Sequence, residues 1–120
     1  MGTYEFRGKH LVAEYYDVDF ENIATMDLVS KHIEEGIKLS GATCLEIVRK
    51  NFEPMGYTIV AVLLESHVSI HAYPEHKAMF IDAFTCGDKE PLVIHNHLIT
   101  RLGVTNFKVE VISRGFNQNE

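Results

Sequence analysis

The eight residues Tyr57-Thr58-Ile59-Val60-Ala61-Val62-Leu63-Leu64 are apolar or β-branched almost without a break. Such a run is read as a β-strand covered on both faces. Strands need neighbours, and the chain supplies them. Lys9 to Tyr16 mixes β-branched and aromatic residues, and Thr43 to Asn51, His67 to Tyr73, Met79 to Thr85 and Asn106 to Ser113 read as further strands. Glu53-Pro54-Met55-Gly56 is a turn. Between them, Asp27 to Ser40 carries Leu28, Val29, Ile33 and Ile37 on a stripe of helical period, with Gly41 as its stop. A second helix opens near Pro91, repeats Ile94, Leu98 and Leu102 every four residues, and ends at Gly103. Adjacent strands with two separated helices indicate an α+β fold, an antiparallel sheet with two helices on one face. The opposite face needs cover, which a homodimer stacking two sheets as an α/β/β/α sandwich would supply.

A chain of 120 residues is expected to form one domain over residues 1–120, large enough for a core but helped by a partner. A formal net charge of −6 argues against nucleic acid, whose phosphates call for clustered Lys and Arg, and suits a cationic small substrate. No apolar run reaches the length needed to cross a bilayer, so no membrane partner is expected. Met1 to Arg7 lacks the apolar core of a signal peptide, and a cytoplasmic location is the expectation. Cys44 and Cys86 then remain thiols rather than pairing.

Chemistry gathers in one place. Glu65-Ser66-His67, His71 and Cys86 set a carboxylate, a hydroxyl, imidazoles and a thiol into a span that otherwise reads as buried strand. Polar groups are costly in such surroundings unless paired or given a task. Ser66 and His71 lie five positions apart, so a regular strand points them to opposite faces. They can meet across two face-packed sheets, which implies an active site shared between two chains. No metal site is expected: His67 and His71 share a strand face and His95 and His97 are close, but residues two apart on a helix face different ways and neither pair has a convincing third ligand.

Taken together, Glu65-Ser66-His67, Ile70-His71, Pro74-Glu75 and Phe84-Thr85-Cys86-Gly87, with Gly8-Lys9-His10-Leu11-Val12-Ala13-Glu14 and Ser40-Gly41-Ala42-Thr43 before them, resemble the prokaryotic S-adenosylmethionine decarboxylases from about Gly8 to Gly115. Any one of these pieces alone is weak; their combination is specific. The resemblance implies a proenzyme that cleaves itself between Glu65 and Ser66, giving a β chain of residues 1–65 and an α chain of residues 66–120. The Ser66 hydroxyl attacks the Glu65 carbonyl, the amide becomes an ester, elimination at Ser66 releases the N-terminal piece, and the residue left behind hydrolyses to a pyruvoyl cofactor. That carbonyl forms a Schiff base with the amine of S-adenosylmethionine and accepts electrons as carbon dioxide leaves. By the same resemblance His71 is the processing base and Thr58 a processing hydroxyl. Cys86 is the proton donor, Glu65 lies beside the pyruvoyl group, Phe52 stacks on the adenine and Glu75 holds the ribose hydroxyls. Glu65, Ser66 and Cys86 would come from one subunit of a homodimer and Phe52, His71 and Glu75 from the other.

The chain departs from the family pattern in two places. Gly56-Tyr57-Thr58-Ile59 stands where the family usually has Gly-Val-Ser-Gly, and His76-Lys77-Ala78-Met79-Phe80 follows Glu75 in place of the usual small and aromatic residues. An altered rim leaves arginine or ornithine as alternative substrates for the same pyruvoyl chemistry, with Phe52 and Glu75 favouring the nucleoside. A third reading, of another class, is an uncleaved homologue acting as a regulatory or partner subunit. The S-adenosylmethionine reading places the product in polyamine (spermidine) synthesis.

Overall fold

A computed structural model describes residues 6–115; Met1 to Glu5, most of the stretch read above for a leader, lie outside the described residues. Six strands form one antiparallel sheet in the order β2-β3-β4-β5-β1-β6. They span Arg7–Tyr16 (β1), Cys44–Asn51 (β2), Tyr57–Leu63 (β3), Ser66–Tyr73 (β4), Ala78–Cys86 (β5) and Asn106–Gly115 (β6). Both long helices, Met26–Ser40 (α2) and Pro91–Leu102 (α3), pack on the same face of that sheet. Gly41 and Gly103 close them in the left-handed conformation that lets a glycine end a helix, at φ 84° and 66°.

The helical stripe is narrower than the sequence suggests. Val29, Ile33 and Ile37 of α2 are buried, whereas Leu28 is exposed, one position round the helix from the buried row. Facing that row, the odd positions of β3 (Tyr57, Ile59, Ala61, Leu63) and the even positions of β4 (Val68, Ile70, Ala72) are buried with Leu11, Ala13 and Tyr15 of β1. Two elements were not foreseen: the four-residue helix Phe20–Ile23 (α1) and a 3-10 turn over Pro74–His76. Tyr57 ties α1 down, its buried hydroxyl donating to the Ile23 carbonyl at 2.7 Å.

The expectation that β3 is covered on both faces needs correction. Its other face, with Thr58, Val60 and Val62, is uncovered, and Val62 is 41% exposed. The reason is topological: both long helices lie on one side, so the apolar character of the far side is unmet among the described residues. That open face continues through Val48 of β2, Tyr73 of β4, Phe80 of β5 and Ile112 of β6, all exposed apolar side chains. No helix among the described residues is long and apolar enough to cross a membrane.

Candidate active site

Leu64 and Glu65 alone connect β3 to β4, between the paired residues Leu63 and Ser66. A two-residue hairpin loop demands left-handed backbone, which Gly, Asn and Asp tolerate. Here Glu65 adopts it, at φ 61°. A Cβ-bearing residue in that region costs about 1 kcal/mol or more, so the strain sits on the peptide that precedes Ser66. The turn is held from the side by Leu64 N–H donating to the Thr43 carbonyl at 2.9 Å.

The end of β5 meets this turn. The Cys86 thiol donates to the Glu65 carbonyl at 2.7 Å, and the Cys86 backbone N–H donates to Ser66 Oγ at 3.1 Å. One residue thus addresses both the carbonyl and the hydroxyl that flank a single peptide bond. A hollow of about 240 Å³ opens beside them, lined by Gly41, Thr43, Glu65, Ser66, Cys86 and Lys89 among others. A donor on a carbonyl oxygen polarises its carbon, and a donor on a hydroxyl favours the alkoxide, so the arrangement suits attack of Ser66 Oγ on the Glu65 carbonyl carbon.

The remaining sequence-derived residues lie at the opposite end of the sheet. His71 and Thr58 are paired across β4 and β3, with His71 Nδ1 and Thr58 Oγ1 at 2.9 Å on the open face. Phe52 follows β2 in the loop to β3 and is half exposed; its N–H donates to the Gly56 carbonyl at 2.8 Å. Glu75 sits exposed in the 3-10 turn that ends β4. Five residues of strand at about 3.3 Å each put Ser66 and His71 roughly 16 Å apart along β4, and on opposite faces. The seven residues therefore divide into two groups, Glu65, Ser66 and Cys86 at one end and Phe52, Thr58, His71 and Glu75 at the other.

Strand alternation also sorts the departures from the family pattern. Tyr57 and Ile59 point into the helix-covered core, 3% and 1% exposed, and do not enlarge the open-face rim. Thr58 alone of the three lies on the open face, where it keeps a hydroxyl against His71. Cys44 and Cys86 are free thiols. The sequence reading missed the contact between the Cys86 thiol and the Glu65 carbonyl, which depends on how β5 ends beside the β3–β4 turn. It also missed a group on the outer helical layer, where His32 and Glu35 of α2 meet His97 of α3.

A six-stranded antiparallel sheet backed by helices, with a strained residue before a serine that opens a strand, defines an α+β domain of the S-adenosylmethionine decarboxylase type. The profile of that family matches residues 9–115, and the chain belongs to the S-adenosylmethionine decarboxylase family. It is 34% identical over 116 residues to an S-adenosylmethionine decarboxylase proenzyme 2 of Bacillus cereus, covering 96% of this chain and 94% of that one. It is 30% identical over 113 residues to the S-adenosylmethionine decarboxylase proenzyme of Anoxybacillus flavithermus, covering 94% and 91%. A crystal structure of the adenosylmethionine decarboxylase from Aquifex aeolicus superposes with a TM-score of 0.87 at 30% identity, over 97% of each chain.

Proposed function

We propose that this chain is a self-cleaving decarboxylase proenzyme acting on S-adenosylmethionine, whose decarboxylated product is an aminopropyl donor for polyamine synthesis. The observation that carries the reading is the left-handed Glu65 with its carbonyl held by the Cys86 thiol and Ser66 Oγ held by the Cys86 N–H. Strain raises the ground state of the scissile peptide, the thiol stabilises the charge that builds on the Glu65 oxygen during attack, and the Cys86 N–H holds Ser66 Oγ beside it. Cleavage leaves residue 66 as a pyruvoyl group, whose carbonyl supplies the electron sink for loss of carbon dioxide from an amine-bearing substrate. The precursor geometry fits that product: Ser66 is half-buried beside a hollow, and Cys86 stays within reach to return a proton to the substrate carbon.

The reading includes a homodimer. The division of site residues between the two ends of the sheet supports it, because a two-fold axis that packs the open faces together with the strands reversed brings the His71 end of the partner subunit against the Ser66 end. The exposed apolar side chains Val48, Val62, Phe80 and Ile112 support the same packing. His71, with Thr58 as its hydrogen-bond partner, then serves as the base for cleavage, and Phe52 and Glu75 hold the nucleoside end of the substrate, with Glu65 left beside the new carbonyl.

Intact mass of the purified chain and labelled carbon dioxide release test the two halves separately. The expected result is two pieces, residues 1–65 and residues 66–120 with a blocked N-terminus, and release from S-adenosylmethionine. Release from arginine or ornithine alone would replace the substrate while keeping the chemistry. A chain that stays whole and releases nothing would overturn the enzyme reading in favour of a regulatory or partner subunit.

A further inference from the structure

The outer layer of the molecule carries a second convergence of ligating atoms, away from the cleavage turn. His32 and Glu35 stand one turn apart on α2, at the i, i+3 spacing that puts two side chains on one face. His97 reaches the same carboxylate from α3: its Nε2 lies 2.9 Å from Glu35 Oε1, and His32 Nδ1 lies 3.3 Å from that same oxygen. The helices are close here because Gly36 has no side chain; a Cβ at that position would already touch Ile94 Cα at 3.4 Å and His97 Cδ2 at 3.6 Å. Both imidazoles are largely sheltered, 14% and 12% exposed, while Glu35 is 35% exposed and leaves one side open to water. The three ligating atoms all lie within 4.8 Å of one another.

From this geometry we infer that His32, Glu35 and His97 form a zinc-type metal site that staples α2 to α3. Zinc bound at about 2.0–2.1 Å in a tetrahedron requires ligand atoms roughly 3.4 Å apart. Two of the three separations, 2.9 and 3.3 Å, already lie close to that value, so small side-chain shifts admit the ion. Two imidazoles and one carboxylate suit zinc, cobalt or nickel; magnesium and calcium prefer all-oxygen shells. Water takes the fourth position on the exposed side. On ligation His32 carries its proton on Nε2 and His97 on Nδ1, leaving the nitrogens that face Glu35 free to bind. Arg101 Nε, 3.9 Å from Glu35 Oε1, is the cation that the metal displaces; its side chain is 55% exposed and can swing into solvent.

The site is independent of the decarboxylase reading, and its test needs no activity. Tag-free protein is titrated with zinc, with cobalt as a spectroscopic probe and magnesium as control, monitoring calorimetry, visible absorption and the thermal midpoint. One equivalent of zinc should bind and raise the midpoint, cobalt should give d–d bands without a thiolate charge-transfer band, and magnesium should do neither. His97→Gln keeps an N–H donor toward Glu35, so it preserves the helix contact while removing a ligand. It and His32→Gln should each weaken zinc binding by at least the roughly 10- to 100-fold that even an outer-shell change costs. Unchanged affinity in both variants, a thiolate band that assigns the metal to Cys44 or Cys86, or no binding by the unaltered chain overturns the site. Should either variant fail to fold, the cobalt spectrum of the unaltered protein decides.

Discussion

At the scale of single residues, the proposed function gives Cys86 two tasks separated in time. In the intact chain its thiol holds the Glu65 carbonyl at 2.7 Å, and after cleavage the same sulfur is free to deliver a proton. Ser66→Ala removes the nucleophile and should abolish both cleavage and decarboxylation. Cys86→Ala removes one oxyanion donor, an effect of about 10²-fold or more on rate in comparable acyl chemistry, yet it retains the backbone N–H on Ser66. It should therefore cleave slowly to completion, and the processed variant should then decarboxylate poorly. Gel analysis over time followed by carbon dioxide assay separates the two; full activity in the cleaved variant would discard the proton-donor role. Thr58 gives a finer contrast. Thr58→Val leaves His71 Nδ1 without its hydroxyl partner and should slow cleavage, whereas Thr58→Ser keeps the 2.9 Å bond and should cleave at close to the normal rate. Equal slowing by both would mean that the methyl group, not the hydroxyl, matters at this position.

At the scale of elements, the start of α3 depends on Glu90. Its carboxylate accepts from Leu92 N–H at 3.3 Å as the N-cap and binds Lys9 Nζ of β1 at 2.6 Å. The Lys9 hydrogen bond is the main reason that its carboxyl is held below the ordinary 4.5, and burial opposes it. A carboxylate with a lowered folded-state pKa stabilises the fold above about pH 4.5, and that contribution fades as pH falls through the folded value. Glu90→Gln should cost about 1 kcal/mol or less at pH 7, since both partners are partly exposed, and its deficit relative to the unaltered chain should shrink on acidification. Urea midpoints at pH 7 and pH 4 check this; a deficit that grows with acid would refute it. Elements with a long periodic pattern were legible in the sequence for the same kind of local reason. Val29, Ile33 and Ile37 mark α2, Pro91 and Gly103 bracket α3, and alternation marks β4. The helix Phe20–Ile23 was not legible because four residues hold too little pattern to distinguish a helix from a turn. The separation of Ser66 from His71 was legible because parity is local. The contact of Cys86 with Glu65 and the meeting of His32 with His97 were not, since ladder pairing and a helix crossing set them.

At the scale of the whole molecule, a sheet with helices on one face leaves the other to be covered, and the split of the site residues turns that packing problem into a catalytic one. If a face-to-face homodimer completes each site, two inactive chains can repair one another. A Ser66→Ala chain lacks the nucleophile but keeps His71; a His71→Ala chain lacks the base but keeps Ser66. Each homodimer should remain uncleaved. Co-expression of the two at equal levels gives heterodimers as about half of all dimers, and each contains a single complete site. That site joins Ser66 of the His71→Ala chain to His71 of the Ser66→Ala chain, so roughly one chain in four should be cut, all of them His71→Ala chains. A size tag on one variant identifies which chain is cut, and analytical ultracentrifugation confirms the dimer. No cleavage in the mixture would mean that His71 acts on Ser66 of its own chain. Cleavage of the His71→Ala chain on its own would remove His71 from processing altogether and leave Cys86 and the strained turn to accomplish it.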